Sequence, residues 1–133
     1  MAEITVRNYH KNDAQSVGRL IADTYIKYNL DFLSAEARGP FLGPFQHAYS
    51  PDQKHQEAIA NVIDSEMLFV AEQDGEIVGV LRGRKERLAS LFVRGDRHRQ
   101  GIGRKLVEHF EQVSREQEVK VIRVAATLYH RYL

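Results

Sequence analysis

The N-terminal part of the chain shows two hydrophobic patterns, one after the other. Ile4 to Tyr9 alternate between apolar and polar residues, and this period of two predicts a strand. Apolar positions spaced by three and by one then predict an amphipathic helix that Asn12 or Asp13 can cap. The apolar stripe of this helix consists of Val17, Leu20, Ile21, Thr24, Tyr25 and Tyr28.

The periodicity stops between Asn29 and Ser50, which predicts a long connection that is either functional or mobile. A second helix is predicted directly afterwards, because Ser50 can cap it, Pro51 suits its first position and Gln53 completes a capping box. This helix should end near Ser65, and its apolar positions are Ala58, Ile59, Val62 and Ile63.

Three strands are predicted next. Met67 to Glu72 and Ile77 to Arg82 are apolar runs joined through Asp74-Gly75, a dipeptide that adopts the positive φ angles of a tight hairpin turn. A second turn near Lys85-Glu86 leads to the run from Leu88 to Val93. The three strands should therefore form an antiparallel meander.

A polar loop from Arg94 to Gln100 opens another predicted helix, from about Gly101 to Arg115. The next run, Val119 to Ala126, is dense in Val and Ile and predicts a central strand buried on both faces. The order β-α-α-β-β-β-α-β predicts one α/β (α+β) domain over residues 1–133, with a mixed, largely antiparallel sheet flanked by helices. The apolar side of the last helix is formed by Ile102, Leu106, Phe110 and Val113.

Composition limits the chemistry that the chain can carry. The 133 residues include no Cys, which excludes a disulfide framework, a thiolate zinc site and a cysteine nucleophile. The six His residues show no metal-ligand spacing, so no metal is expected. The sequence shows neither a signal peptide nor an apolar run of about 18 residues, so we expect a cytoplasmic protein without membrane contact.

Charge is distributed unevenly, although the formal net charge is only +1. Residues 1–81 carry 6 basic and 12 acidic groups, whereas residues 82–105 carry 9 basic and 2 acidic groups. A short basic block in a balanced domain favours a local anionic ligand over nucleic acid. The alternatives left open are a solvated surface and a nucleic-acid or protein-binding module that uses the 82–105 block.

The basic block overlaps a glycine-containing loop at a helix N-terminus. Gly101 and Gly103 let the backbone approach a ligand, and the first N–H groups of the helix have no intrahelical partner. The loop lacks the signatures of a nucleotide phosphate loop and of a dinucleotide fingerprint. The helix dipole favours an anion at this end. Four cations surround it: Arg97, Arg99, Arg104 and Lys105.

The strand Leu91-Phe92-Val93, a short loop and then Arg99-Gln100-Gly101-Ile102-Gly103-Arg104-Lys105-Leu106 resemble a known cofactor loop. It is the acetyl-coenzyme A pyrophosphate loop of the GCN5-related N-acetyltransferases (GNATs), whose pattern is Arg/Gln-x-x-Gly-x-Gly/Ala. The order of elements is similar over nearly the whole chain. His98 stands where the family usually has Arg or Gln.

The resemblance implies an acyltransferase that moves acetyl from acetyl-coenzyme A to a primary amine by direct attack. It implies that the backbone of Leu91 and Val93 pairs with the pantetheine arm, and that the N–H of Leu91 or Phe92 polarises the thioester carbonyl. A catalytically degenerate domain that only binds coenzyme A is the alternative to an enzyme. Pyrophosphate contacts are implied for the backbone N–H groups of Gln100, Gly101, Ile102, Gly103 and Arg104, with Arg99 and Lys105 beside them.

The catalytic acid and base are less evident. In the family, a tyrosine on a helix after the fifth strand commonly protonates the departing thiolate, and the stand-ins here are Tyr129 and Tyr132. The sequence stops before the family's last two strands. We expect either that the chain is shortened or that a second subunit, as in a homodimer, completes the sheet. The amine must lose a proton before it attacks. Glu72 is the carboxylate candidate, and a water relay through Ser90 is equally open.

The acceptor, a small-molecule or protein amine, should bind in the segment from Asn29 to Ser50, where the family binds its acceptor. Phe41, Phe45 and His47 are the candidate contacts in this segment. The aromatic residues there can equally serve to pack the loop.

Overall fold

A computed structural model describes residues 3–124 of the chain. The chain divides into two compact units, one from Met1–Tyr9 with Ser65–Leu133 and one from His10–Asp64. Within the described range, no helix combines the length and the apolar character that crossing a membrane would need.

The first unit is a five-stranded mixed sheet with one helix packed on it. The strands β1 (Thr5–Asn8), β2 (Met67–Gln73), β3 (Glu76–Arg84) and β4 (Arg87–Val93) are antiparallel neighbours in that order. β5 (Arg123–Val124) pairs with β4 in parallel. The predicted first strand and the antiparallel meander are therefore confirmed.

The turn between β2 and β3 has the predicted geometry. Asp74 and Gly75 adopt φ angles of 55° and 75°. Two consecutive positive φ angles define the hairpin turn whose twist matches the flanking strands. The Asp-Gly signal in the sequence thus placed this hairpin correctly.

The helix α4 (Ile102–Glu116) packs closely on one face of the sheet. Three of its predicted apolar residues are fully buried, and Val113 is half-buried. The close approach depends on glycines in β3, because a Cβ at Gly79 would lie 2.9 Å from side chains of α4, and one at Gly83 would lie 2.8 Å from a ring carbon of Phe110. One buried cluster joins the sheet to α4, and it consists of Met67, Phe69, Ala71, Val78, Leu81, Leu88, Leu91, Val93, Ile102, Leu106 and Phe110.

β5 differs from the prediction of a central strand buried on both faces. Among the described residues it pairs only with β4, and Val121 and Val124 are 69% and 59% exposed. The prediction was wrong because a run of Val and Ile indicates a strand without showing how many elements cover it. Residues 125 and 126 of the predicted strand lie outside the described range.

The second unit, His10–Asp64, is helical. Val17, Leu20 and Ile21 on its first helix and Ile59 and Ile63 on its third are buried, as the two predicted stripes required. Val62 is 41% exposed, so it lies off the buried stripe. The helices are α1 (Ala14–Tyr25), α2 (Ala35–Leu42) and α3 (Gln53–Ile63), and α1 continues into a π-helical turn (Ile26–Leu30).

The helix α2 was not predicted, because its segment lacks hydrophobic periodicity. Its N-terminus is stabilised by Ser34, whose hydroxyl accepts a hydrogen bond from the Ala37 N–H at 3.2 Å. Pro40 lies inside the helix, where proline is usually disfavoured. A sequence pattern with a central proline and no apolar stripe is typical of a loop, and the prediction of an irregular segment was wrong here.

The predicted caps also differ in detail. Asp52 rather than Ser50 caps α3, because Asp52 Oδ1 accepts from the Lys54 N–H at 2.8 Å. The Ser50 hydroxyl instead accepts from the Asp52 N–H at 3.1 Å. Asp13 precedes α1 without capping it, and its carboxylate accepts from the His10 N–H at 2.7 Å. Ser50 and Asp52 can both cap a helix, and the backbone conformation selects Asp52.

Candidate functional site

The loop between β4 and α4 leads to an open helix N-terminus. Gly101 ends the loop in the left-handed region, with φ 80° and ψ 13°. Apart from Gly101 itself and its two chain neighbours, no described residue has a heavy atom within 4 Å of the position that its Cβ would occupy. Arg99 also has a positive φ, 67°, which is uncommon for a residue other than glycine. The backbone before α4 is therefore accessible where a ligand can approach it.

The first N–H groups of α4 precede its hydrogen-bonded ladder. The first helical hydrogen bond runs from the Lys105 N–H to the Gly101 carbonyl oxygen at 3.0 Å. The N–H groups of Ile102, Gly103 and Arg104 come before this bond, so they have no acceptor within the helix. Together with the helix dipole, they are a suitable site for an anion.

The charge around this helix end is positive. Two carboxylates engage Arg94 in the loop, through Nε to Asp96 Oδ1 at 2.7 Å and Nη1 to Glu76 Oε2 at 3.0 Å. The hydrogen bond between Arg94 and Asp96 raises the pKa of the guanidinium and lowers the pKa of the carboxyl. Within residues 3–124, no ion pair involves the three remaining exposed cations, Arg99, Arg104 and Lys105.

Two side chains tie the loop to the sheet. His98 Nε2 lies 2.9 Å from the Val93 carbonyl oxygen. A carbonyl oxygen can only accept a hydrogen bond, so Nε2 carries the proton in this contact. Gln73, at the end of β2 and only 5% exposed, donates from Nε2 to Gln100 Oε1 at 3.4 Å. The sequence analysis did not identify Gln73. The signal in the sequence was an amide residue at the end of the apolar run that forms β2.

The backbone of β4 alternates between its two edges. The Arg94 N–H donates to the Val78 carbonyl oxygen on the β3 side at 2.8 Å. The pairing with β3 is regular from Ser90 to Val93, so Phe92 faces β3 in the same way. Leu91 and Val93 therefore direct their N–H and C=O groups to the opposite edge, which is the edge where His98 contacts the Val93 carbonyl.

The candidate carboxylate Glu72 is held in an ion pair. Arg7 donates from Nε and Nη2 to Glu72 Oε1 at 2.9 Å and 2.7 Å, and both side chains are half-buried. Glu72 lies on β2, two strands from β4, which corresponds to about 10 Å. The geometry favours a structural role for Glu72 and not that of a base beside Leu91. Tyr129 and Tyr132 lie outside the described residues.

The other candidate for proton transfer, Ser90, is paired with an arginine across the sheet. Arg82 on β3 stands opposite Ser90 and donates from Nε to its hydroxyl at 2.9 Å. Burial lowers the pKa of the Arg82 guanidinium. Sequence reasoning did not identify this pair, because nothing in the pattern showed which residues of β3 and β4 stand opposite one another.

The three candidate acceptor residues all belong to the second unit. Phe41 on α2 is 62% exposed, whereas Phe45 and His47 lie in a short 3₁₀ helix, Gly43–His47, and are half-buried. His47 stacks on His55, with ring centroids 3.9 Å apart and planes 6° apart. The His47 ring thus takes part in packing within the unit, while the Phe41 ring is available to a ligand.

These features meet in one class of protein. The described residues combine an α+β fold, with a mixed five-stranded sheet and four α-helices, and a helix N-terminus after β4 that suits an anion. Residues 31–132 match the family described as Acetyltransferase (GNAT) domain. The chain therefore belongs to the GNAT acetyltransferase family, and its class of activity is acyl transfer. No curated protein matches the sequence significantly.

Solved structures show the same fold at low sequence identity. An aminoglycoside acetyltransferase, meta-AAC0020, from an uncultured soil metagenomic sample is 22% identical, with a TM-score of 0.62 over 97% of this chain and 81% of that one. A GCN5-related N-acetyltransferase, described as Aminotransferase, Class-II, from Rhodopseudomonas palustris is 16% identical, with a TM-score of 0.69 over 96% and 75%. The PaiA N-acetyltransferase of Thermoplasma acidophilum, in complex with coenzyme A, is 13% identical, with a TM-score of 0.62 over 88% and 75%.

Proposed function

We propose that residues 1–133 act as a single domain that transfers acetyl from acetyl-coenzyme A to a primary amine by direct attack. The observation that carries the proposal is the open N-terminus of α4, where Gly101 is left-handed and no atom occupies the space beside it. The complex of the similar PaiA N-acetyltransferase with coenzyme A supports the choice of cosubstrate.

The residues at this helix end fit a pyrophosphate. The N–H groups of Gln100 to Arg104 can donate to phosphate oxygens without losing a helical hydrogen bond. The exposed cations Arg99, Arg104 and Lys105 supply charge of the required sign. The anchors His98 and Gln73 hold the loop in place before a ligand arrives, which reduces the entropy lost on binding.

The edge of β4 that faces away from β3 fits the reactive part of the cosubstrate. When bound, the cosubstrate supplies an activated acetyl thioester. The Leu91 N–H is directed away from β3 and can donate to the thioester carbonyl oxygen, where negative charge develops. The Phe92 N–H is directed toward β3, which supports Leu91 over Phe92 for this role. Val93 offers a carbonyl on the same edge for an amide of the pantetheine arm.

The acceptor amine must be neutral when it attacks. With a pKa near 10.4, only about one lysine-type amine in 10³ is neutral at pH 7. Glu72 is engaged by Arg7, so we propose that the proton leaves through water past Ser90, which precedes Leu91 on β4. The similarity to an aminoglycoside acetyltransferase supports an amine as the acceptor.

Calorimetric titration with acetyl-coenzyme A tests the proposal. We expect saturable one-to-one binding, and weaker binding of the 3′-dephospho form because the cations near the loop attract that phosphate. Thiol release in the presence of amines then measures turnover. A folded sample that binds no acetyl-coenzyme A would contradict the proposal, and binding without turnover of any amine would favour the degenerate coenzyme A-binding domain.

A further inference from the structure

Three arginines stand side by side at the end of the sheet that is remote from the cofactor loop. Arg84 on β3 is the register partner of Arg87 on β4, and Arg87 is the register partner of Arg123 on β5. Register partners project from the same face of a sheet, so the three side chains form a row across three strands. We call this set the arginine row.

The arginine row is exposed, and none of its side chains forms an ion pair within the described part of the chain. Each of the three residues is exposed. Among the ion pairs of residues 3–124, none includes Arg84, Arg87 or Arg123. Like charges directly opposite each other destabilise a sheet, and here two such pairs are adjacent. An arrangement that is unfavourable for the fold is explained if an anionic partner binds there.

The backbone holds the row in place. The two-residue turn Lys85-Glu86 joins Arg84 to Arg87, and the Arg123 N–H donates to the Glu86 carbonyl oxygen at 2.7 Å. The side chains therefore project from fixed neighbouring strands about 4.8 Å apart. Guanidinium groups at such a spacing can each bind a carboxylate or phosphate with two parallel hydrogen bonds.

The row is separate from the proposed cofactor site. Arg87 is the first residue of β4, and the cofactor loop follows Val93 at the other end of the strand. Six residues of extended chain correspond to about 20 Å. The cations of the row therefore do not belong to the cluster around the N-terminus of α4.

The surroundings of the row favour an acidic polypeptide over nucleic acid. Residues 84–88 and 119–124 contain no Phe, Tyr or Trp, so they lack the aromatic rings on which unpaired bases stack. The exposed Val121 lies two residues before Arg123, whereas Val124 is the register partner of the buried Leu88 and projects from the face that α4 covers. An aliphatic side chain near the guanidinium groups suits a segment with both acidic and apolar residues.

We propose that Arg84, Arg87 and Arg123 form a docking site for an acidic polypeptide segment, in which glutamate or aspartate carboxylates pair with the three guanidinium groups. Binding relieves the repulsion along the row and covers the neighbouring Val121. The proposal does not depend on acetyl transfer, because it concerns a surface at the opposite end of β4.

Fluorescence anisotropy of a labelled hexaglutamate peptide with blocked termini tests the proposal on the full chain. The row variant carries Arg84→Gln, Arg87→Gln and Arg123→Gln. The control variant carries Lys11→Gln, Lys54→Gln and Arg115→Gln, which are also exposed. Both variants change the formal net charge from +1 to −2, so long-range attraction is matched.

We expect the row variant to bind hexaglutamate about 30-fold more weakly, with about threefold from each exposed pair. The control variant should bind as the unsubstituted chain does at moderate salt. The row variant should melt no lower than the unsubstituted chain, because it removes like-charge repulsion, and circular dichroism checks this. Its affinity for acetyl-coenzyme A should not change, which separates this proposal from the proposed function.

Three results would overturn the assignment. The unsubstituted chain could fail to bind hexaglutamate, or the row and control variants could weaken binding equally. A hexathymidylate strand could also bind more tightly than the peptide and depend on the same three arginines, which would assign the row to nucleic acid.

Discussion

At the scale of single residues, Gly101 is the position on which the cofactor site depends most. Its left-handed backbone turns the chain into α4, and the open space beside it is where we propose that the pyrophosphate lies. The sequence pattern identified this glycine from its spacing to Gly103. The conformation shows why glycine is favoured there, since other residues adopt a positive φ at a cost of about 1–2 kcal/mol.

We predict that Gly101→Glu abolishes binding of acetyl-coenzyme A. The new carboxylate would lie at the pyrophosphate site, and two like charges about 4 Å apart near a protein surface repel by about 4 kcal/mol, or well over 100-fold in affinity. Calorimetry measures the loss. Gly75→Glu is the matched control, because Gly75 also has a positive φ and open space around it but lies in the β2–β3 turn. Equal affinity of the two variants would refute the site.

His98 offers a second residue-scale prediction. His98→Ala removes the hydrogen bond to the Val93 carbonyl and loosens the loop, so we expect about fivefold weaker binding of acetyl-coenzyme A, equivalent to about 1 kcal/mol. His98→Gln keeps a side-chain donor and should restore most of the affinity. Isothermal titration of both variants checks this. If alanine and glutamine behave alike, the hydrogen bond does not position the loop.

At the scale of elements, the position of α4 depends on its close contact with β3. A Cβ at Gly79 would meet side-chain atoms of Ile102 and Leu106, which can move. A Cβ at Gly83 would lie 2.7 Å from the Arg87 backbone oxygen as well as 2.8 Å from the Phe110 ring. Backbone atoms within a sheet cannot yield in the same way, so the two glycines differ in how much change they tolerate.

We therefore predict that Gly83→Ala destabilises the protein more than Gly79→Ala. Overpacking of a well-packed core typically lowers the free energy of unfolding by about 1–3 kcal/mol, and Gly83→Ala should fall at the upper end. Urea unfolding followed by circular dichroism gives both values. A larger effect at Gly79 would mean that the side chains of α4 are held more rigidly than the backbone of the hairpin.

At the scale of the whole molecule, charge is separated along the chain. The block 82–105 holds most of the excess positive charge, and the fold divides it between the cofactor loop and the arginine row at opposite ends of β4. Arg87 precedes Leu91 by four residues, or about 13 Å of extended chain. An acceptor whose amine reaches Leu91 can therefore place a nearby acidic group on the row.

This separation predicts a preference among acceptors. Peptides with acidic residues two to four positions from the reactive amine should show a lower KM than matched peptides with lysines there, with little change in kcat. Steady-state kinetics on the two peptide sets measures the difference, and the variant with all three row arginines changed to glutamine should abolish it. If that variant prefers acidic peptides as strongly as the unsubstituted chain does, the arginine row is not the source of the selectivity.

The sequence by itself determined the elements that have strong local patterns. The Asp74-Gly75 turn, the strands on either side of it, α4 and the glycine-containing loop before it were all predictable, because each depends on residues close together in the chain. The segment 29–50 was not predictable in this way. α2 contains a proline and lacks a stripe, so no periodic signal indicated the helix that Ser34 caps.

Only the tertiary structure decided which distant residues meet. Glu72 pairs with Arg7, His98 contacts Val93, Gln73 contacts Gln100, and the arginines of three strands fall into one row. The exposure of Val121 and Val124 was likewise decided by what packs around them and not by the Val and Ile content of their segment. Local patterns depend on the period of the backbone, whereas register and coverage depend on how separate segments pair, and a single sequence does not state that pairing.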